Sequence, residues 1–93
     1  MERKYIIVTG RVQGVGFRYH AMNLAIEYHL TGWIRNMQNG GVEMEVQGEP
    51  EGIRRFVENL DKDTHWIKID YRSIADMPCL VDGETGFRIR YSY

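Results

Sequence analysis

Apolar side chains along this chain recur with two different periods. The order in which those periods alternate restricts the fold more than any other feature. Tyr5 to Thr9 is β-branched and aromatic and stops at Gly10, which predicts a short central strand. Phe17, Ala21, Leu24, Ala25 and Tyr28 then fall at i, i+4, i+7, i+8 and i+11, one apolar stripe of a helix. Thr31 to Met37, with Trp33 and Ile34, returns to strand character. Asn39-Gly40 follows and predicts a type I′ hairpin turn, in which both central residues need positive φ. Val42, Met44 and Val46 alternate with Glu43, Glu45 and Gln47, a strand with one face buried and one wet.

Gly48 ends that strand, and Pro50 stands where a helix can begin without losing a hydrogen bond. Ile53, Phe56, Val57 and Leu60 keep helical spacing, while Arg54, Arg55, Glu58 and Asp61 fill the outer face. Ile67, Ile69 and Tyr71 alternate with Lys68, Asp70 and Arg72, a strand from about Trp66. A polar loop from Asp76 to Gly86 leads into Phe87-Arg88-Ile89-Arg90-Tyr91. The order is β-α-β-β-α-β with a short closing strand. It predicts an α+β fold, the ferredoxin-like split β-α-β arrangement. This is an antiparallel sheet of four to five strands with two helices on one face.

Length and charge remove several function classes. Ninety-three residues without a Pro/Gly/Ser linker or a repeat predict one domain over residues 1–93. Twelve basic and thirteen acidic side chains leave a formal charge of −1, which supplies no bulk attraction for nucleic acid or an anionic membrane. The single cysteine, Cys79, excludes an internal disulfide and any CxxC site. Tyr5 to Val8 is too short an apolar run for a signal peptide or a membrane span. A reduced, cytoplasmic setting follows as the expectation.

The stretch Gly10-Arg11-Val12-Gln13-Gly14-Val15-Gly16-Phe17-Arg18 joins a strand end to a helix start. Backbone N–H groups at such a junction lack intrahelical partners, and glycines let the chain curl until those groups converge. A nest of this kind at the positive end of a helix dipole binds a phosphate-sized anion. Arg18, in the first helical turn, can add a bidentate contact to phosphate oxygens. Neither the P-loop pattern nor the dinucleotide fingerprint fits: Val15 is five residues after Gly10, and Tyr19 is three after Gly16. A plain glycine-rich connecting turn accounts for the local pattern equally well.

Asn36 lies near the end of the second strand. In a β-α-β unit the first and second strands run the same way, so this end falls near the loop after the first strand. An amide there can orient a water through its carbonyl oxygen or hold a phosphate oxygen through its NH₂. An Asx turn that shapes the hairpin is the alternative for the same residue.

Taken together, Gly10 to Arg18, Gly32-Trp33-Ile34-Arg35-Asn36, Gly40 to Glu43 and Gly86-Phe87-Arg88-Ile89 resemble the acylphosphatase family in the same order and over nearly the whole chain. The resemblance implies hydrolysis of a carboxyl-phosphate bond without metal or cofactor. It implies that Arg18 grips the phosphate together with the backbone amides of Gln13, Gly14, Val15, Gly16 and Phe17. It also implies that Asn36 positions the attacking water. Asn39 departs from the more frequent Asp of the hairpin, and His29 stands where glycine often closes the first helix.

The remaining candidates carry plainer expectations. Cys79 has no histidine at a recognisable spacing. His20, His29 and His65 form no metal-binding pair, so no metal site is expected. Trp33, Tyr28 and Phe56 stand at core-type positions; Glu43 and Glu45 share a strand face read as solvent; Arg88 and Arg90 form an outward charged face. An RNA-recognition domain shares the element order, but Gln13 to His20 lacks its signature aromatics and sits on a loop and helix start. The expected ligands are a small acyl phosphate and product phosphate, with no nucleic-acid or membrane partner and a monomeric chain. A non-catalytic phosphate-binding module of the same fold is the alternative, since such domains also occur inside larger carbamoyl-transfer proteins. The short length argues for the separate enzyme.

Overall fold

A computed structural model describes residues 1–62 and 64–91. The described residues form β1 (Glu2–Arg11), α1 (Phe17–Glu27), β2 (Thr31–Asn36), β3 (Val42–Gly48), α2 (Pro50–Asn59), β4 (Lys68–Met77) and β5 (Phe87–Arg90). The sheet order is β4-β1-β3-β2-β5. The two helices and the sheet share one core. Ile6, Val8, Ile34, Val42, Met44 and Val46 present the buried face of the strands to Phe17, Ala21, Ala25, Ile53, Phe56 and Leu60. This is the ferredoxin-like α+β arrangement, and the predicted stripes supply its helix contacts.

Two details of the backbone differ from the sequence-based expectation. β5 runs parallel to β2, with Ile34 beside Ile89, whereas the other pairings are antiparallel. The chain leaves β4 at one edge and reverses direction before reaching the opposite edge, so β5 must run with β2. The hairpin is also not type I′. Gly40 has φ 94°, Asn39 does not have positive φ, and Gly40 N donates to Met37 O at 3.2 Å. Asn39 Oδ1 instead accepts from Gly41 N at 2.9 Å. Gln38 and Asn39 thus form the central pair of the turn, and Gly40 supplies the left-handed residue after it.

The face away from the helices is not the open solvent face expected of Glu43 and Glu45. Arg3 is buried there and donates to Glu45 Oε1 at 2.9 Å, to Gln47 Oε1 at 3.2 Å and to both carboxylate oxygens of Glu84 at 2.7 and 3.0 Å. Glu43 accepts from the Tyr5 hydroxyl at 2.7 Å and from Arg35 Nε at 2.9 Å. The Glu43 contact pushes the Tyr5 phenol up to about 12. Burial raises the Glu43 carboxyl, but the bonds from Tyr5 and Arg35 outweigh it and leave it below its ordinary value. Trp33 is buried under Arg90 and Arg35, whose guanidinium carbons lie 4.5 and 5.4 Å from the ring. It belongs to this polar layer and not to the core beneath the helices.

Candidate active site

Helix α1 begins without the usual apparatus of a helix start. Gly16 is its N-cap, in the left-handed region at φ 77°, and no side chain caps it. Gly14 just before it has φ 73°. Such backbone is open to glycine and strained for other residues, and it is what curls the segment into a loop. Among the described residues, no backbone N–H of residues 13–17 donates to another group. The first turn carries no acidic residue to offset the dipole and holds the cation Arg18 instead. Both features leave the helix start short of negative charge, which is the electrostatic condition for an anion site.

The structure brings the residues singled out in the sequence to this one end of the sheet. Gln13 Nε2 donates to Met37 O and Gly41 O at 2.8 Å each, which ties the loop to the hairpin directly after Asn36. The guanidinium carbon of Arg18 lies 5.1 Å from the ring centre of Tyr91. Tyr91 follows Arg90, which pairs with Arg35, so the stacked pair lies at the same strand end as Asn36. Strand alternation puts Asn36 on the face of Ile34, the face covered by the helices. Its Oδ1 is buried and has no hydrogen-bond partner among the described residues. The Asx-turn alternative fails, because this oxygen accepts no bond among the described residues, and Asn39 makes the Asx contact of the hairpin.

An unpartnered buried amide oxygen is costly in a folded protein and marks a place where a ligand or water completes the bonding. This end of the sheet therefore carries three complementary parts: open backbone donors, a full positive charge, and a buried acceptor at the end of β2. A doubly charged anion with a water beside it satisfies all three.

Two aromatic neighbours escaped the sequence reading. In the sequence Tyr91 ends the closing strand and Tyr19 breaks the dinucleotide fingerprint, and neither position points to the site. Their hydroxyls lie 3.1 Å apart, and the Tyr19 contact holds the Tyr91 phenol above its ordinary pKa. Tyr19 and Tyr91 stand 72 positions apart in the sequence, so only the fold could reveal the contact. Cys79 is exposed, His20 Nε2 meets Asn59 O at 3.3 Å, and no three metal-ligating side chains cluster among the described residues. No helix of the described residues is long and apolar enough to cross a membrane.

Comparison with known proteins meets this geometry. The acylphosphatase family model matches residues 4–89. The chain is 44% identical over 91 residues to an acylphosphatase of Clostridium beijerinckii, covering 98% of this chain and 100% of that protein. The crystal structure of acylphosphatase from Bacillus subtilis superposes with a TM-score of 0.90 at 36% identity, covering 98% of this chain and 100% of that one. A full-length HypF structure in a phosphate- and nucleotide-bound form matches at TM-score 0.80 and 28% identity. That match covers 96% of this chain but only 12% of HypF. With a family model that matches residues 4–89 and relatives that match from end to end, the chain belongs to the acylphosphatase family.

Proposed function

We propose that this protein hydrolyses the carboxyl-phosphate bond of small acyl phosphates, releasing a carboxylate and inorganic phosphate. The observation that carries the reading is the buried Oδ1 of Asn36 at the strand end, beside a loop, with that oxygen unpartnered and the loop's backbone N–H groups free among the described residues.

In this reading the amides of Gln13, Gly14, Val15, Gly16 and Phe17 receive the phosphoryl oxygens. Arg18 adds the local full charge, in bidentate geometry. Asn36 accepts a hydrogen bond from the attacking water and so aims its lone pair at phosphorus. The substrate is a mixed anhydride whose leaving group is a carboxylate, with a conjugate acid of pKa about 4. That group departs unprotonated near neutral pH, so no general acid is required. Phosphoryl transfer passes through a loose transition state in which holding charge and placing water do most of the catalysis. The site needs no metal for these steps.

The relatives matched end to end carry the name acylphosphatase, which favours turnover over a non-catalytic phosphate-binding module. A single exposed thiol fits a reduced, cytoplasmic setting, and the substrate class requires no second chain, nucleic acid or membrane.

Inorganic phosphate as a competitive inhibitor tests the assignment of roles. Wild type and Asn36→Ala should both be inhibited at similar concentrations, while Arg18→Ala should lose inhibition. Retained phosphate inhibition in Arg18→Ala would remove Arg18 from the anion site.

A further inference from the structure

Gln13 joins the two halves of the site through its side chain. Its amide nitrogen has two protons, and both are used: one on Met37 O and one on Gly41 O, each at 2.8 Å. The two carbonyl acceptors fix which end of the amide is the nitrogen. Met37 N also donates to Gly41 O at 2.8 Å, so the amide closes onto the base of the β2–β3 hairpin where its arms meet. Met37 is the residue after Asn36, and Gln13 is the residue before Gly14. One partly buried side chain therefore spans from the loop to the strand end across 24 positions of sequence.

The geometry points to the Gln13 side chain as a positioning residue that sets Asn36 against the N–H groups of the loop. This rests on the proposed function, in which the loop receives phosphate and Asn36 aims water. The contribution is separate from that of the Gln13 backbone. Anion affinity resides in the loop amides and Arg18, so it survives loss of the bridge. Alignment between anion and water does not, and displacing a reacting group by about 1 Å costs up to roughly a hundredfold in rate. Glutamate has the same size as glutamine, but when ionised it donates nothing and sets a negative charge against two carbonyl oxygens.

Four variants of the full chain test this: Gln13→Leu, Gln13→Glu, Asn36→Ala and the Gln13→Leu/Asn36→Ala pair. For each, kcat, KM, the inhibition constant of inorganic phosphate and the melting temperature are measured. Gln13→Leu should lower kcat by roughly ten- to a hundredfold and shift phosphate inhibition by no more than about threefold. The pair should be no slower than Asn36→Ala alone, because the bridge acts through Asn36. Gln13→Glu should regain activity relative to wild type as pH falls through its carboxyl pKa, since the protonated acid donates one bond again. If Gln13→Leu does not fold, the isosteric Gln13→Glu and its pH profile decide the matter.

A wild-type kcat in Gln13→Leu beside a slow Asn36→Ala would overturn this inference and leave the proposed function standing. So would a Gln13→Leu effect that multiplies in full with Asn36→Ala, or a Gln13→Glu activity ratio flat with pH. A wild-type kcat in Asn36→Ala would overturn both readings.

Discussion

The guanidinium of Arg18 stacks over the ring of Tyr91, 5.1 Å from its centre, at the end of the sheet that carries Asn36. Arginine at a helix N-terminus works against the dipole, so its orientation depends on contacts of this kind. A cation–π pair at an exposed site is worth about 0.5–1 kcal/mol, a factor of roughly two to five. Tyr91→Ala should therefore weaken phosphate inhibition by about that factor, and Tyr91→Phe, which keeps the ring, should remain near wild type. Equal inhibition constants for Tyr91→Ala and wild type would show that the ring does not orient Arg18.

Asn36 predicts an opposition between stability and activity. Its Oδ1 is buried without a partner among the described residues, and such a group costs about 1–3 kcal/mol. Asn36→Ala removes that cost along with some packing, so stability in urea should change by less than about 1 kcal/mol. Turnover should fall by roughly a hundred- to a thousandfold, the usual loss when one preorganised polar group is removed. A variant that loses several kcal/mol of stability would mean that Asn36 is chiefly structural.

The Arg3–Glu84 pair anchors the loop between β4 and β5 across the polar face. The Arg3 side chain is 1% exposed and that of Glu84 18%. Removing one member of such a pair leaves the other uncompensated, so Arg3→Ala should cost about 3–5 kcal/mol. The bond from Arg3, against an opposing effect of burial, holds the Glu84 carboxyl below its ordinary value. A depressed folded pKa contributes stability that is present above the unfolded value of about 4.3 and is lost as pH falls through the folded one. Denaturation at pH 7 and pH 3 checks the sign. Wild type should lose more stability between them than Glu84→Gln, and equal losses would contradict the pairing.

His29 closes helix α1 in the left-handed region at φ 60°. His29 N donates to Ile26 O at 3.2 Å and Leu30 N to Ala25 O at 2.8 Å, the two bonds of a Schellman closure. Glycine adopts this conformation without the steric cost that histidine bears. His29→Gly should raise stability by about 0.5–1 kcal/mol and leave hydrolysis unchanged. A lower melting temperature would show that the imidazole contributes more than its backbone strain removes.

Much of this architecture was legible because it rests on local periodicity. The stripe from Phe17 to Ala25 and the alternation of Val42, Met44 and Val46 each name the face that packs, and the structure buries those residues, Leu24 only in part. The glycines Gly14 and Gly16 likewise announced a curled loop at a helix start, and the structure puts both in the left-handed region. What escaped depends on pairings far apart in sequence. Arg3 and Glu84 are separated by 81 positions, and nothing near either residue signals the other. Glu43 and Glu45 look solvent-facing because an alternating pattern cannot show that arginines and a tyrosine cover the polar face. Asn39-Gly40 mis-stated the turn type because the Asx bond to Gly41 satisfies a different hairpin with the same two residues.

The most direct test of the central claim is hydrolysis of a small aryl acyl phosphate, followed in the ultraviolet with EDTA and no added metal. Wild type and Arg18→Ala are compared, with circular dichroism confirming that both are folded. The site geometry predicts turnover that is indifferent to EDTA in wild type and falls by at least a hundredfold in Arg18→Ala. A folded wild type without activity, or an Arg18→Ala enzyme as fast as wild type, would contradict it.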